Sequence, residues 1–574
     1  MNSRVVESPA NSAFAPITQF ESRFVAGIIA LVVLLTTLPY LLAYSVNGTF
    51  VGQIYNIVDF SVYLSWARQA ADGHFSTLNL FTTTPQHGYL FNALFLVIGA
   101  IVRLTHLPIP LVFQLFRIVG AVLLLWIAFL LCRVVYSSSQ QARLTAFGFI
   151  ALSSGFGFIY WPHWADNNAG HFSVDVWQPE AFTFLSTYTS FLFVVASVFI
   201  LTAFYNLIRG EMTGKLLYGV NAGVCGLILG NIHSYDVLHI AAAWGFYVIA
   251  ITAIERRFDK GRWLRALTSG ALTLPSTLYQ YWVFRHETVF RLRAMTPTLS
   301  PPLFYYAIGY GLVFFLALST VILVALNNKK LIELFRSREV LVWIVSWAIA
   351  GLTIIYLPVA FQRKMVMGEQ IPLCILSGGL TAYLVGFIGV RLRPAILTLI
   401  VAVTFPTNAL FLLRDYHHIV YNKSEIPGAN PFLTVQQVDV LTWLRNNTRP
   451  GEAVLALPPI GQFVPGYADR PVWVGHWSET PQYGTKISEL VRILYANTPD
   501  AIRERFIDQT QTTYLVYPHS LSFEPLITKH GPVQMIDLTT NTPAYLIAVY
   551  ATPVDPAAST DELASGYTIF RIAH

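Results

Sequence analysis

The sequence predicts a polytopic α-helical membrane protein with about eleven transmembrane helices, one interfacial helix and a small C-terminal α/β domain outside the cytoplasm. Three observations predict it. Of 574 residues, 55% are hydrophobic and only 11% are charged, whereas soluble domains carry about a quarter charged residues. The apolar residues fall in runs close to the ~20 needed to cross a ~30 Å hydrocarbon core. Basic residues cluster in every second loop between those runs, which marks the cytoplasmic side.

Residues 1–23 form a polar N-terminal segment, expected in the cytoplasm. The apolar run at 24–44 is too long for a signal-peptide core and lacks a small-x-small cleavage site, so it reads as a permanent first span. Ten further spans are expected at 111–132, 142–161, 183–208, 216–232, 237–254, 264–284, 303–326, 339–358, 371–390 and 395–413. The segment 89–104 is apolar but short, and it ends at Arg103 and a proline-flanked turn, Leu107-Pro108-Ile109-Pro110. Charge decides its place. With 89–104 in the interface, the loops carrying Arg133 and Arg143, Arg209 and Lys215, Arg256 to Arg265, Lys329 to Arg338, and Arg391 and Arg393 all face the cytoplasm. A crossing at 89–104 would turn all of them outward. The membrane domain is therefore expected to run over 24–414.

The tail, 415–574, changes character. Helical periodicity at 435–446 and 487–497 alternates with strand-like runs at 453–457 and 513–517, which suggests a small α/β domain. The sequence pI of about 9.0 reports topology in such a chain, and no nucleic-acid partner is expected. Cys132, Cys225 and Cys374 lie in or beside apolar segments and show neither metal nor disulfide spacing.

The chemistry-bearing residues concentrate in the outside loops. Asp59 opens an amphipathic segment of loop 45–110 and is either a helix cap or a catalytic carboxylate. Loop 162–182 holds His163, Asp166, Asp175 and Glu180 beside Trp164 and Trp177, with Trp161 just before it. The tryptophans suit interfacial anchoring. The acids suit a metal or sugar hydroxyls, which leaves a divalent metal as a candidate cofactor. His233 and Asp236 sit in a short turn between two spans, as a functional pair or as a turn that reaches water. Arg291, with its neighbours Arg285 and Arg293, and the pair Arg363 and Lys364 are basic residues on the outer side, against the topological trend. An anionic phosphate explains them, as does pairing with loop acids or ordinary lipid phosphates. In the tail, His476 and Glu479 follow a strand-like segment, where either a site or a structural turn belongs. No P-loop, dinucleotide fingerprint, GxSxG elbow or HExxH motif is present.

This arrangement resembles the GT-C superfamily of integral-membrane glycosyltransferases, which take a sugar from a polyprenyl-phosphate carrier. Asp59 after the first span, the interfacial segment from Tyr89 to Leu104, the acids Asp166, Asp175 and Glu180 after the third span, and a terminal soluble domain carry the likeness. It looks most like bacterial members related to protein O-mannosyltransferases and lipid A aminoarabinose transferases. The resemblance implies that Asp59 is the catalytic base and that Asp166 or Asp175 is the second-loop acid. Many relatives pair the first acid with a second, whereas here Asp59 is followed by Phe60. It also implies an inverting displacement at the anomeric carbon, with Arg363 and either Lys364 or Arg291 on the leaving phosphate. The implied setting is a bacterial-type plasma membrane and an envelope acceptor that is a lipid, a glycan or a protein.

Two other functions fit a membrane protein of this kind. A transporter or flippase of a lipid-linked saccharide would favour repeated halves and broken helices at mid-membrane. A non-catalytic envelope assembly protein would tolerate loss of the loop acids. A reporter fused after His574 is expected to be active only outside the cytoplasm, and a cytoplasmic signal would place 89–104 across the membrane.

Overall fold

The computed structural model describes residues 16–46, 48–161, 163–164, 172–421, 430–519, 536–554 and 566–573. Among them, five helices are long and apolar enough to cross a membrane: Gln19–Ser45, Ile109–Val135, Gln140–Tyr160, Phe191–Thr213 and Asp236–Glu255. Two bent pairs raise the number to seven if each is one span. Leu303–Tyr310 and Leu312–Ala325 meet at 103°, and Arg393–Ala402 and Pro406–Tyr421 at 49°. The first bend falls at Gly311, whose φ of +53° suits a residue without a Cβ. The remaining expected spans are helical but shorter or more polar. Leu216–Ile232 and Arg338–Ile354 have 17 residues and Gln370–Val385 has 16. Lys260–His286 carries arginines at both ends and Pro275 inside. The chain is a polytopic, mostly helical membrane protein.

The contacts divide the chain into two compact units. The first comprises Met1–Pro39, Gln114–Tyr281 and Pro297–Tyr416. Its helices approach closely through small residues, as lipid-embedded helices do where apolar burial gives no drive. A Cβ on Gly378 would lie 2.6 Å from the Ala146 backbone, so Gln370–Val385 and Gln140–Leu152 touch main chain to main chain. Charge fastens one end of this unit. Glu211 accepts from Arg262 Nε at 2.7 Å, Arg265 Nη2 at 2.6 Å and the Tyr247 hydroxyl at 3.1 Å. Glu255 takes Arg262 Nη1 at 3.0 Å. Three helices, Phe191–Thr213, Asp236–Glu255 and Lys260–His286, are joined at one carboxylate.

The second unit comprises Tyr40–Phe113, Trp282–Thr296 and His417–His574. The helix Ile57–Ala71 packs against Ala93–Thr105, and Gly99 makes the contact possible, since a Cβ there would lie 2.5 Å from Ala70 Cβ. At 13 residues, Ala93–Thr105 measures roughly 20 Å and is too short to cross ~30 Å of hydrocarbon. It nevertheless turns Val97 and Leu104 outward, the latter 81% exposed. Such a helix suits an interface.

Strand β1 (Thr49–Phe50) pairs antiparallel with β2 (Phe432–Leu433) and ties the start of the tail to the first loop. Beyond it, β3 (Val454–Ala456), β4 (Tyr514–His519), β5 (Leu546–Ala551) and β6 (Gly566–Ile572) form one sheet in the order β3-β4-β6-β5. The β3–β4 pair is parallel and the others antiparallel. Helices Tyr483–Ile493 and Asp500–Thr510 accompany the sheet, and Leu455, Val474, Leu490, Ile493, Leu515 and Phe570 share one apolar core. The strand-like 471–474 contributes a single bridge, Val454 to Val472.

Glu211→Gln leaves the buried Arg265 guanidinium without its carboxylate and Arg262 with Glu255 alone. It is expected to destabilise the first unit by about 3–5 kcal/mol, read as a lower melting temperature in detergent, with Glu211→Asp recovering part of the loss.

Candidate functional site

The second unit brings together residues from three distant segments. The helix Ile57–Ala71 starts at Asn56, which adopts left-handed φ of 56° and serves as the N-cap residue, so Asp59 lies in the first turn and is not the cap. Asp59 Oδ2 accepts from Asn56 Nδ2 at 2.6 Å, and Asp59 Oδ1 lies 3.1 Å from His476 Nε2. The Asp59 side chain is 33% exposed while that of His476 is 1% exposed. The histidine is fixed by its own loop. Thr480 Oγ1 accepts from the backbone N–H of Gly475 and His476 and donates to the Phe81 carbonyl. His476 Nδ1 in turn accepts from the backbone N–H of Ser478 at 3.1 Å and of Glu479 at 3.2 Å.

Beside it, the buried Glu479 carboxylate takes Arg293 Nε at 2.6 Å and Asn79 Nδ2 at 3.3 Å. The Arg293 guanidinium lies 5.4 Å from the Trp66 ring centre. This is a charge-assisted bond backed by a ring face, a strong combination for holding a cation in place. Arg291, two residues earlier on the same helical turn, points outward and is exposed. Spacing alone separates the two, because residues i and i+2 do not share a helix face.

The first unit holds a second polar cluster, built from the ends of several helices. Arg363 stacks on Trp177 at 5.2 Å and Lys364 on Tyr235 at 4.9 Å. Gln178 Nε2 donates to the Arg363 carbonyl at 3.1 Å. His233 Nδ1 lies 2.8 Å from Asp236 Oδ2. Burial pushes the Glu180 carboxyl up, and Arg363, Lys364 and His233 pull it back. Glu369, at the head of Gln370–Val385, is fully buried, and burial holds its carboxyl well above the usual range. It occupies the place where a side chain on residue 351 would go, since a Cβ on Gly351 would lie 1.7 Å from Glu369 Oε2. Among the described residues, both Glu369 oxygens, Asp236 Oδ1, Arg363 Nε and Gln178 Oε1 are buried without a hydrogen-bond partner. The sequence marks Arg293 only as a basic neighbour of Arg291 and does not single out Glu369, which lies five residues after Lys364.

Asp175 is committed elsewhere. It is wholly buried, with Oδ2 accepting from the backbone N–H of Gly155 at 2.9 Å and of Gly157 at 3.0 Å. Oδ1 shares a 2.5 Å hydrogen bond with the Ser173 hydroxyl. A Cβ on Gly157 would lie 2.5 Å from that same oxygen, so the turn admits only glycine there. Asp175 therefore closes its loop on the end of the preceding helix. His163 lies in an exposed turn, and Asp166 lies outside the described residues. Among the described residues, no three His, Cys, Asp or Glu side chains are grouped to hold a metal ion.

Burial outweighs the bonds to Ser173, Gly157 and Gly155 and raises the Asp175 carboxyl to about 6. A folded-state value above the unfolded one favours the protonated form, so its stabilisation is complete below about pH 4 and is lost as pH rises through about 6. Thermal melting in detergent is expected to fall across that window by the equivalent of roughly 3 kcal/mol at most, and Asp175→Asn is expected to flatten the slope.

No model of a known protein family matches the chain, and no curated protein matches it in sequence. Solved structures do. The apo oligosaccharyltransferase of Archaeoglobus fulgidus is 14% identical, over 87% of this chain and 70% of that one, at a TM-score of 0.51. ArnT from Cupriavidus metallidurans in the apo state is 12% identical, over 96% of this chain and 98% of that one, at 0.50. The arabinofuranosyltransferase AftD from mycobacteria is 12% identical, over 96% of this chain and 40% of that one, at 0.52. The fold is that of these glycosyltransferases, the GT-C fold.

Proposed function

We propose that the protein is a membrane glycosyltransferase that moves a sugar from a polyprenyl-phosphate carrier to an envelope acceptor hydroxyl. The observation that carries this reading is Asp59. It is an acid of the first loop in a GT-C fold, one-third exposed, and oriented by Asn56 and His476. In the proposed reaction the Asp59 carboxylate takes the proton of the acceptor hydroxyl. The acceptor oxygen forms a bond to the anomeric carbon from the face opposite the phosphate. The carbon–oxygen bond to the phosphate breaks with its electron pair, releasing polyprenyl phosphate, and the configuration inverts. Charge on the departing phosphate needs cations, and Arg363 and Lys364 are the proposed partners, with Arg291 as the alternative. Their chemistry supports the role: Arg363 and Lys364 stack on aromatic faces, and Arg363 Nε has no partner among the described residues.

The proposed topology has eleven spans, a cytoplasmic N-terminal segment and an extracytoplasmic tail in a bacterial-type plasma membrane. The basic loops and the short, outward-apolar helix Ala93–Thr105 support it. A transporter or flippase is the second reading, favoured by the 103° break at Gly311.

Purified protein is expected to transfer label from a polyprenyl-phosphate hexose panel to acceptors in a membrane extract. Asp59→Asn is expected to slow this by roughly 10²–10⁴-fold, the span of general-base contributions. Arg363→Ala is expected to slow it by roughly 10²-fold or more. Undiminished transfer by Asp59→Asn would remove Asp59 as the base. Movement of the intact donor across vesicles without transfer would favour the second reading.

A further inference from the structure

His476 is bound at both ring nitrogens, and the two partners differ in kind. Nδ1 receives two backbone N–H groups, those of Ser478 and Glu479, at 3.1 and 3.2 Å. A nitrogen that accepts from N–H carries no hydrogen of its own, so the ring proton sits on Nε2. That nitrogen faces Asp59 Oδ1 at 3.1 Å. We infer that His476 is a fixed hydrogen-bond donor to Asp59, a positioning residue that holds the carboxylate as an acceptor and takes no part in carrying the substrate proton.

The inference rests on the reading of Asp59 as the base. Its physical argument is the loop geometry. A second ring proton on Nδ1 would stand against two N–H groups that the loop cannot withdraw, because Thr480 ties the same loop to the backbone of Gly475, His476 and Phe81. The charges facing this ring are Asp59 itself and Glu479, whose charge is met by Arg293 at 2.6 Å. The Ser478 hydroxyl also lies 3.3 Å from Nδ1 and, with two N–H groups already directed at that nitrogen, donates to it as a third group, while the Phe81 ring stands edge-on at 5.6 Å and the Trp477 ring at 6.0 Å. A histidine so held resembles the outer-shell partners of metal ligands, which fix orientation and whose loss costs about 10–100-fold.

Two substitutions separate the two nitrogens. Asparagine places an oxygen near the Nδ1 position, so His476→Asn keeps an acceptor for the Ser478 and Glu479 N–H groups but is too short to reach Asp59. Glutamine is long enough to offer Asp59 an N–H. Full-length protein is compared by labelled-sugar transfer from the polyprenyl-phosphate hexose panel, by melting temperature, and by ¹⁵N NMR of labelled histidine. The His476 signal is assigned by its loss in His476→Asn. The expected result is an unprotonated Nδ1 and a protonated Nε2. His476→Asn should melt as the wild type does, with kcat lowered about 10–100-fold and donor KM within about twofold. His476→Gln should be faster than His476→Asn.

A protonated Nδ1, an unimpaired kcat in His476→Asn, or a loss confined to KM would each overturn the inference. So would a His476→Gln enzyme no faster than His476→Asn. Failure of the base reading looks different: Asp59→Asn would then transfer sugar at the wild-type rate whatever His476 does.

Discussion

The hydrogen bond between His476 and Asp59 joins residues 417 positions apart, and most of the second unit exists to make that contact hold. The acid needs a rigid helix, and Ile57–Ala71 is rigid because Gly99 lets Ala93–Thr105 lie directly against it. The histidine needs a loop that cannot drift, and Thr480 bonds that loop to Phe81 in the first-loop segment. Asn79 adds a second bond from the first-loop segment, and Glu479 with Arg293 binds the same loop to one further piece of chain. Each contact is ordinary. Together they fix one carboxylate whose side chain stays open to solvent.

The first unit obeys a different constraint. Lipid supplies no hydrogen bonds, so backbone polar groups pair inside helices and chemistry gathers at helix ends. The Glu211 clamp and the Arg363, Lys364, Glu180 and Asp236 cluster are both built at such ends. The clamp pairs its carboxylates with its guanidiniums and leaves a single atom, Arg265 Nε, without a hydrogen-bond partner among the described residues, so it reads as architecture. The cluster leaves several buried polar atoms without partners among the described residues, the pattern expected of a site and not of a staple.

Much of the fold was legible because membrane physics writes itself into composition. The apolar runs located helices, and the short segment 89–104 is a helix of 13 residues, Ala93–Thr105. The expected spans map onto helices only in part: 142–161 is α-helical only to Leu152, 183–208 breaks at Ser190 and 303–326 at Gly311, because caps and kinks are invisible to a hydropathy count. The site was legible only in part. Asp59, His476 and Glu479 stand out as acids and a histidine in polar loops, but nothing local says that they share one unit. Arg293 differs from Arg291 only by helix face, which needs the boundaries of a seven-residue helix. Asp175 looked like a free loop acid. Its engagement depends on two backbone N–H groups some twenty residues earlier, a partnership that no side-chain pattern encodes.

The three-piece make-up of the second unit has a consequence for biosynthesis. At about 5–20 residues per second, roughly 20–80 s separate the emergence of Asp59 from that of His476. Throughout that interval the nascent chain carries Asp59 without its histidine partner. Synthesis itself thus works as a timer: a product truncated between Tyr416 and His476 keeps the helices of the first unit yet lacks the segment that completes the second.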